Sequence, residues 1–193
     1  MLVVDEAYTE FAAGAECETG FDLVAAGRNV VVLRTFSKAY GLAGLRVGWM
    51  YAPDDVVDAV ARVRPPNTVT ATGLAAAEAA LRDRAHLDRV IGEVVRLRES
   101  FRRHVRALGL EAGSSHGNFV LVRFPEGGPL DAREAFERLK SAGILVRPTG
   151  NYGLADCLRV TIGSAEEMDA IAAELERIAG AWQVPSTFPF RAG

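Results

Sequence analysis

Thr35-Phe36-Ser37-Lys38-Ala39-Tyr40-Gly41-Leu42-Ala43-Gly44-Leu45-Arg46 is the segment of this 193-residue chain from which its fold can be inferred. It contains one of only two lysines among 22 basic residues, and Lys38 lies between hydroxyl-bearing residues and glycines. A lysine amine can lose its proton and condense with an aldehyde, whereas an arginine cannot. Because arginine is otherwise the usual cation of this chain, a lysine here indicates that an amine is needed.

The residues before this segment predict a buried strand. Residues 29–33 form a continuous β-branched run, typical of a strand covered on both faces of a parallel sheet. A second run of this kind, residues 2–4, is followed by an acidic residue and an aromatic residue. Ligands of open α/β sheets gather at the carboxyl ends of the strands, and adjacent strands lie about 4.8 Å apart. The residues expected to share this edge are Asp5, Tyr8, Ser37 and Lys38.

The remaining pattern predicts βαβ units followed by a smaller α+β part. Helices are indicated by apolar spacings of three and four, by acids near their starts, and by glycine or proline at their ends. A long amphipathic helix with apolar residues from Leu87 to Leu108 stops at Gly109 and forms the arm between domains. The other predicted elements are a short helix after Pro53, broken at residues 64–67, helices over 72–82, 131–142 and 165–179, and strands over 47–51, 119–124, 144–147 and 158–162.

Four segments resemble the fold-type-I pyridoxal-phosphate enzymes, and most closely the histidinol-phosphate aminotransferase family. They are VVDEAYTEF (3–11), TFSKAYGLAGLRVG (35–48), HGNFVLVRF (116–124) and GILVRPTGNYGLADCLRVTIGS (143–164). The second is highly specific, because it combines a lysine, two upstream hydroxyls and an arginine eight residues on. The resemblance implies an α/β fold: the C-terminal part of the large parallel-sheet domain over 1–84, an interdomain helix with a small α+β domain over 85–183, and a tail over 184–193.

The resemblance also implies how pyridoxal 5'-phosphate is held. Lys38 would bond to the cofactor aldehyde and later carry a proton between substrate and cofactor carbons, which needs a lowered pKa. Asp5 would face the pyridine nitrogen and keep it protonated, so that the ring remains an electron sink. Tyr8 would hydrogen-bond the phenolic oxygen of the ring. The residues that would hold the phosphate are Thr35, Ser37 and Arg46.

Two arginines are candidates for substrate binding. Alternation in residues 158–162 places Arg159 on the strand face opposite the apolar residues. The resemblance implies that Arg159 binds the anionic end of the substrate and that Arg147 helps hold the phosphate of histidinol phosphate, since two arginines suit a dianion. Arg159 separates substrates poorly, because relatives that act on α-amino acids use this position for a carboxylate. The implied reaction is transamination of histidinol phosphate with 2-oxoglutarate, in histidine biosynthesis.

Each site residue also has a plainer interpretation. Asp5 and Ser37 could cap helices, Tyr8 could be a packed aromatic, and Arg46 and Arg159 could be solvent-facing strand residues. Their joint occurrence at family spacing favours the site. Asn118 of the third segment is interpreted as a structural or rim residue.

Other functions remain open. An aromatic-amino-acid aminotransferase or a phosphothreonine decarboxylase would share Asp5, Lys38 and Arg46. The chain also opens inside a strand that needs neighbours on both sides, whereas the family carries a further half-chain upstream that completes the cofactor site and much of the interface of a homodimer. We therefore expect an N-terminally truncated portion with impaired activity alone. The non-catalytic alternative is a piece that pairs with a separate N-terminal half.

Composition limits the partners that are expected. A net charge of −3 and a pI near 5.7 give no basic footprint for nucleic acid, and no stretch approaches the ~20 apolar residues of a membrane span. Cys17 and Cys157 have no metal-binding spacing and are interpreted as free thiols in a reducing compartment, so the expected location is the cytoplasm. The three histidines, at 86, 104 and 116, are scattered and predict no metal site. The expected partners are a small-molecule amino donor and a 2-oxo acid.

Overall fold

The computed structural model describes residues 1–12, 18–125 and 131–180. The described residues divide into two compact units: those of Met1–Val95 with His116–Asn118, and those of Arg96–Ser115 with the described residues that follow Asn118. The division falls inside the helix Arg84–Ala107, whereas the domain boundary expected from the sequence, between residues 84 and 85, lies at the start of that helix. The expected tail over 184–193 lies outside the described residues.

The first unit contains a three-stranded sheet with the order β1-β2-β3. β1 and β2 run parallel, as predicted, and their register pairs Asp5 with Leu33. β3 runs antiparallel to β2, so the sheet is mixed. The strands are β1 (Leu2–Asp5), β2 (Val30–Thr35) and β3 (Gly48–Tyr51), and the helices are α1 (Phe21–Ala25), α2 (Asp54–Val63), α3 (Ala71–Arg82) and the first half of α4 (Arg84–Ala107).

The two predicted buried strands differ in burial. In β2, residues Val30, Val31 and Val32 are all buried. In β1, Leu2 and Val3 are each 54% exposed, so the prediction of burial on both faces is wrong for this strand within the described residues. The physical reason is position, because β2 has a strand neighbour on each side and β1 pairs only with β2 in this sheet.

The helices begin and end at the residues that favour such positions. α2 follows Pro53 and ends at Val63, and the next residue, Arg64, has an extended backbone, as expected for a residue before proline. α3 begins after Thr70, whose hydroxyl oxygen accepts a hydrogen bond from the amide of Gly73 at 3.0 Å. α4 ends before Gly109, whose φ of +79° is readily adopted by glycine.

The second unit is an antiparallel sheet with the order β4-β5-β7-β6. α5 packs against β7 and α6. The side chains of Val120, Val122, Leu158 and Val160 alternate along β5 and β7 and are buried. The elements are β4 (Glu111–Ala112), β5 (Phe119–Arg123), α5 (Ala132–Ser141), β6 (Arg147–Thr149), β7 (Leu154–Thr161) and α6 (Ala165–Gly180).

Two features of the described residues concern membranes and metals. None of their helices is both long enough and apolar enough to cross a bilayer. The same residues contain no group of three or more histidine, cysteine, aspartate or glutamate side chains that could hold a metal ion. Cys157 is buried and has a free thiol, and Cys17 lies outside the described residues.

Candidate active site

A cavity of about 290 Å³ lies at the carboxyl ends of β1 and β2. It forms there because the two strands are parallel neighbours, so the residues that follow them meet at one edge of the sheet. Five of the six residues predicted to bind a cofactor line it. The lining residues are Asp5, Ala7, Leu33, Arg34, Thr35, Ser37, Lys38 and Arg46.

Asp5 is the last residue of β1 and is exposed to the cavity. One carboxylate oxygen, Oδ1, accepts a hydrogen bond from the amide of Ala7 at 3.1 Å, which fixes the turn after the strand. The nearest helical turn, Thr9–Ala12, begins four residues later, so Asp5 is not a helix N-cap. Its second oxygen, Oδ2, has no hydrogen bond within the described part of the chain and can receive a ligand proton.

Lys38 is half-buried between two anchored neighbours. Phe36 is buried in a cluster with Val47 and Ala77, and Ala39 is buried in another with Phe11 and Leu87. These two contacts fix the backbone on either side of the lysine. The amine Nζ lies 5.1 Å from the centroid of the Tyr8 ring, which places the sixth predicted cofactor residue beside the lysine. Among the described residues the amine has no ion-pair partner.

Hydroxyl groups and a guanidinium surround the remaining side of the cavity. Thr35 Oγ1 accepts a hydrogen bond from the amide of Ser37 at 3.0 Å, so the hydroxyl of Thr35 shapes the backbone before the lysine. Nη1 of Arg46 lies 3.5 Å from Oγ of Ser37 and donates to the carbonyl of Ala43 at 3.1 Å. Two hydroxyls and an arginine fork therefore converge on one region, which is the donor set that phosphate oxygens prefer.

The backbone at Arg46 is strained. Its φ is +55° and its ψ is +50°, a left-handed conformation that costs a residue with a Cβ roughly 1–2 kcal/mol relative to the right-handed one. Gly48, two residues on, has close neighbours too, because a Cβ there would lie 2.9 Å from the carbonyl oxygen of Arg34. The chain is thus held tightly where the guanidinium enters the cavity.

An ionic network that was not predicted from the sequence lies next to this cavity. The carboxylate of Glu6 accepts hydrogen bonds from Thr19 Oγ1 at 2.8 Å, from the Gly20 amide at 2.7 Å, and from Nε and Nη2 of Arg34 at 3.0 and 2.7 Å. The guanidinium of Arg34 also lies 4.4 Å from the centroid of the Phe21 ring. The network joins β1, β2 and the start of α1. A signal for it existed, since a charged residue of each sign stands at the carboxyl ends of neighbouring strands.

Glu6 is held in its charged form. Burial acts to raise the pKa of Glu6, but the hydrogen bonds from Gly20, Arg34 and Thr19 and the charge of Arg34 outweigh it, so the pKa lies below its ordinary value. The close approach of the Gly20 amide depends on glycine, because a Cβ at position 20 would lie 2.7 Å from Cγ2 of Val32. The carboxylate therefore stays paired and is not a candidate proton donor at neutral pH.

The two predicted substrate arginines lie in the second unit and face each other. β6 and β7 are antiparallel, and their register pairs Arg147 directly with Arg159. Side chains of such a pair project from the same face of the sheet, with Cβ atoms about 4.5–5.5 Å apart. Arg147 is exposed. Arg159 is half-buried, and its guanidinium carbon lies 5.3 Å from the centroid of the Phe119 ring.

This pair of arginines is not neutralised by the part of the chain that the structure describes. Neither guanidinium has a carboxylate partner there, and Nε of Arg159 is buried without a hydrogen bond. Like charges directly opposite each other in a sheet are destabilising, and a buried unpaired donor costs roughly 1–3 kcal/mol. Such an arrangement favours the binding of an anion, which removes both penalties.

Comparisons with known proteins give the family. The family described as aminotransferase class I and II matches residues 1–175 of the 193. The chain belongs to the class I and II aminotransferase family. Its fold and the dependence of that family on pyridoxal phosphate are as expected from the sequence.

The relatives of this chain include histidinol-phosphate aminotransferases of bacteria. That of Paramagnetospirillum magneticum is 45% identical over 181 residues, and that of Rhodospirillum centenum is 46% identical over 172. The matches cover 94% and 89% of this chain and 50% and 47% of those proteins. The chain therefore spans about half the length of the curated relatives that it matches.

A solved structure gives the same result for the fold. The histidinol-phosphate aminotransferase of Sinorhizobium meliloti, determined in complex with pyridoxal-5'-phosphate, superposes with a TM-score of 0.84 at 34% identity. The superposition covers 94% of this chain and 49% of that one. The expected resemblance to histidinol-phosphate aminotransferases is thus confirmed by sequence and by structure.

Proposed function

We propose that this chain binds pyridoxal phosphate through Lys38 and contributes to transamination between histidinol phosphate and 2-oxoglutarate. The observation that carries the proposal is that Asp5, Thr35, Ser37, Lys38 and Arg46 all line the same cavity. These groups suit the cofactor chemically, since they offer an amine for an aldehyde, a carboxylate for a pyridine nitrogen, and hydroxyls with a guanidinium for a phosphate.

The residues of the cavity would have different roles in cofactor binding and proton transfer. Bound pyridoxal phosphate supplies an aldehyde carbon and an electron-withdrawing ring. Asp5 presents an oxygen that has no hydrogen bond within the described residues and would hold a proton on the ring nitrogen. Lys38 Nζ, fixed between the buried Phe36 and Ala39, would accept and return the substrate proton. Tyr8, beside the amine, would orient the phenolic oxygen of the ring.

The phosphate of the cofactor would be held by Thr35, Ser37 and Arg46. A guanidinium gives two parallel hydrogen bonds to phosphate oxygens, and a hydroxyl adds one more. The strained backbone of Arg46 is consistent with this role, because strain of this kind persists where the surrounding structure fixes a functional group.

Arg147 and Arg159 would bind the anionic end of the substrate. Their direct cross-strand pairing gives two adjacent positive charges, and Nε of Arg159 lacks a partner among the described residues. A phosphate dianion has the charge and the oxygen atoms to pair with two guanidinium groups, whereas a carboxylate carries one negative charge. The two arginines therefore favour histidinol phosphate as the amino donor. The similarity to histidinol-phosphate aminotransferases supports the same substrate.

The proposal extends to the parts of the enzyme. Residues 1–84 would form part of the cofactor domain, and residues 85–183 the interdomain helix and small domain. The full enzyme would be a homodimer that acts in the cytoplasm, as the resemblance implies, with no nucleic acid and no membrane among its partners.

The test is a substrate panel. The chain is incubated with pyridoxal phosphate, 2-oxoglutarate and one amino donor, and glutamate formation is measured for histidinol phosphate, phenylalanine and phosphothreonine. We expect glutamate with histidinol phosphate, at a rate below that of a full-length relative, and none with Lys38→Ala. Lys140→Ala, which removes the other lysine, exposed on α5, should give the same amount as the unmodified chain.

The alternatives give different outcomes in the same panel. Faster reaction with phenylalanine indicates an aromatic-amino-acid aminotransferase, and carbon dioxide release from phosphothreonine indicates a decarboxylase. A solved L-threonine-O-3-phosphate decarboxylase from Porphyromonas gingivalis has a TM-score of 0.77 at 28% identity, so the last substrate is a meaningful control. Glutamate formed only after the N-terminal half of a full-length relative is added indicates a chain that works by pairing.

A further inference from the structure

Tyr152 makes a contact that no part of the proposed mechanism has used. It lies in the turn that joins β6 to β7, and its hydroxyl oxygen accepts a hydrogen bond from Nη2 of Arg147 at 3.1 Å. The guanidinium carbon of Arg147 also lies 5.7 Å from the centroid of the Tyr152 ring. Two different interactions therefore connect one tyrosine to one arginine.

The turn that carries the tyrosine has a defined geometry. Gly153 has a φ of +76°, which a glycine adopts without strain, and its amide donates to the carbonyl of Gly150 at 3.0 Å. Thr149 is buried, and its hydroxyl oxygen lies 2.8 Å from the carbonyl oxygens of both Leu154 and Cys157, which share its one proton. These bonds tie the two ends of the turn together, so the base of the Tyr152 side chain is fixed relative to β6 and β7.

The contact restricts an otherwise mobile cation. An exposed arginine loses about 2 kcal/mol of rotamer entropy when it is fixed, and an arginine that is already oriented loses less when it binds. In the described residues, Tyr152 is the only side chain that hydrogen-bonds to Arg147. The tyrosine thus orients the guanidinium on the sheet face from which Arg159 also projects.

The hydroxyl of Tyr152 is also a donor. A guanidinium has donors only, so the tyrosine oxygen must be the acceptor in their hydrogen bond, and the phenolic proton is not used by it. Within the residues that the structure describes, Tyr152 makes no other hydrogen bond, and its side chain is largely exposed. The proton can therefore be donated to an anion that Arg147 binds.

We infer that Tyr152 determines specificity for a phosphate ester at the anionic end of the substrate. It does so as a positioning residue for Arg147 and as a third donor beside Arg147 and Arg159. A carboxylate has two oxygens, which one arginine fork can satisfy, whereas a phosphate monoester has three non-ester oxygens to satisfy. The inference rests on the proposed anion site of the two arginines and adds a residue that discriminates between anions there.

The test is calorimetric titration of the full chain, without added pyridoxal phosphate, so that binding is measured apart from turnover. Each protein is titrated with histidinol phosphate and with histidinol, which lacks the phosphate. The variants are Tyr152→Phe, which keeps the ring and removes only the hydroxyl, and Arg159→Ala. Tyr51→Phe is the matched control, because Tyr51 is a partly exposed tyrosine of β3 in the other unit.

We expect Tyr152→Phe to weaken binding of histidinol phosphate about 10-fold, the loss of one hydrogen bond to a charged group, and to leave binding of histidinol unchanged. Tyr51→Phe should match the wild type with both ligands. A merely structural effect of Tyr152 would lower both affinities together, and that result overturns the inference.

Two further outcomes separate the inference from the proposed function. If Arg159→Ala loses histidinol phosphate and Tyr152→Phe does not weaken it, the anion site stands and the role of Tyr152 is wrong. If the wild type does not bind histidinol phosphate, or if Arg159→Ala binds it normally, the proposed anion site is wrong and the inference falls with it.

Discussion

Arg46 combines backbone strain with a position in the cofactor cavity, and the two can be separated by one substitution. Arg46→Gly relieves the left-handed strain of roughly 1–2 kcal/mol but makes the unfolded chain more flexible by roughly 0.5–1 kcal/mol. We expect the free energy of unfolding in urea to stay within about 1 kcal/mol of the wild type. Affinity for pyridoxal phosphate, measured by absorbance titration, should fall about 10-fold or more, because the guanidinium is lost.

The control for Arg46 is Arg62→Gly. Arg62 lies in the last turn of α2, away from the cavity lining. The Arg62→Gly variant should be less stable than the wild type, because glycine is unfavourable in a helix. It should keep the wild-type affinity for pyridoxal phosphate. Unchanged affinity in Arg46→Gly would show that this arginine does not hold the phosphate.

The lowered pKa of Glu6 should make the free energy of unfolding depend on pH. Its folded-state pKa lies below the ordinary value, so its contribution to the free energy of unfolding is complete above the unfolded pKa of about 4.3 and is lost as the pH falls through the lowered folded-state pKa. Urea unfolding from pH 7 to pH 3 should show this loss in the wild type. Glu6→Gln should be less stable by about 2 kcal/mol at pH 7, with the difference shrinking as the pH falls.

Comparison of the two proteins isolates Glu6 from its neighbour. Burial raises the pKa of Glu10, so Glu10 contributes to stability with the opposite sign in the same pH range. The part of that contribution that comes from burial, the largest cause, is common to the wild type and to Glu6→Gln and cancels in the difference, whereas the smaller part that comes from the charge of Glu6 is removed in Glu6→Gln. A difference that is constant from pH 7 to pH 3 would contradict the assignment of the lowered pKa to Glu6.

At the scale of an element, the segment that carries Lys38 is held by buried residues on both sides of the lysine. Ala39 is 1% exposed and packs with Phe11 and Leu87. Ala39→Leu should overfill this cluster and destabilise the chain by roughly 1–3 kcal/mol. It should also displace the lysine and weaken cofactor binding.

Ala43→Leu is the matched control, since Ala43 lies in the same loop and is exposed. It should leave urea stability and cofactor titration near those of the wild type. Equal effects of the two substitutions would show that the loop tolerates no larger residue anywhere, and that burial of Ala39 is not what positions the lysine.

The elements themselves follow closely from the sequence where their signals are local. Proline, glycine and capping residues mark helix ends, so α3, α5 and α6 begin and end within one residue of the predicted bounds. The site edge was predicted because strand ends of a parallel pair must meet. The exposure of β1 was not predicted, because it depends on which segments pack alongside the strand, and neither was the geometry of the Glu6–Arg34 pair, whose partners are 28 residues apart. The Tyr152–Arg147 contact is local, but it was not predicted because it depends on the conformation of the turn between β6 and β7, which the residue pattern did not define.

At the scale of the whole molecule, each unit has buried residues of its own. Leu139 in the second unit and Val32 in the first are both fully buried. Leu139→Ala should cost about 2–5 kcal/mol through loss of contacts and the cavity that remains. Hydrogen exchange should show that protection is lost in the second unit, while pyridoxal phosphate still binds.

Val32→Ala is the reciprocal variant and should weaken both the protection of the first unit and the binding of the cofactor. Val32 lies in β2, three residues before Thr35 of the cavity. If Leu139→Ala abolishes cofactor binding as fully as Val32→Ala does, the cofactor site is not a property of the first unit.

The proposed bond between Lys38 and pyridoxal phosphate can be detected directly. The chain is incubated with the cofactor, reduced with sodium borohydride, digested, and mapped by mass spectrometry. We expect the reduced cofactor mass on the peptide containing Lys38, and its loss or a marked decrease in Asp5→Ala. Equal labelling of Lys38 and Lys140, or labelling of Lys140 alone, would contradict it.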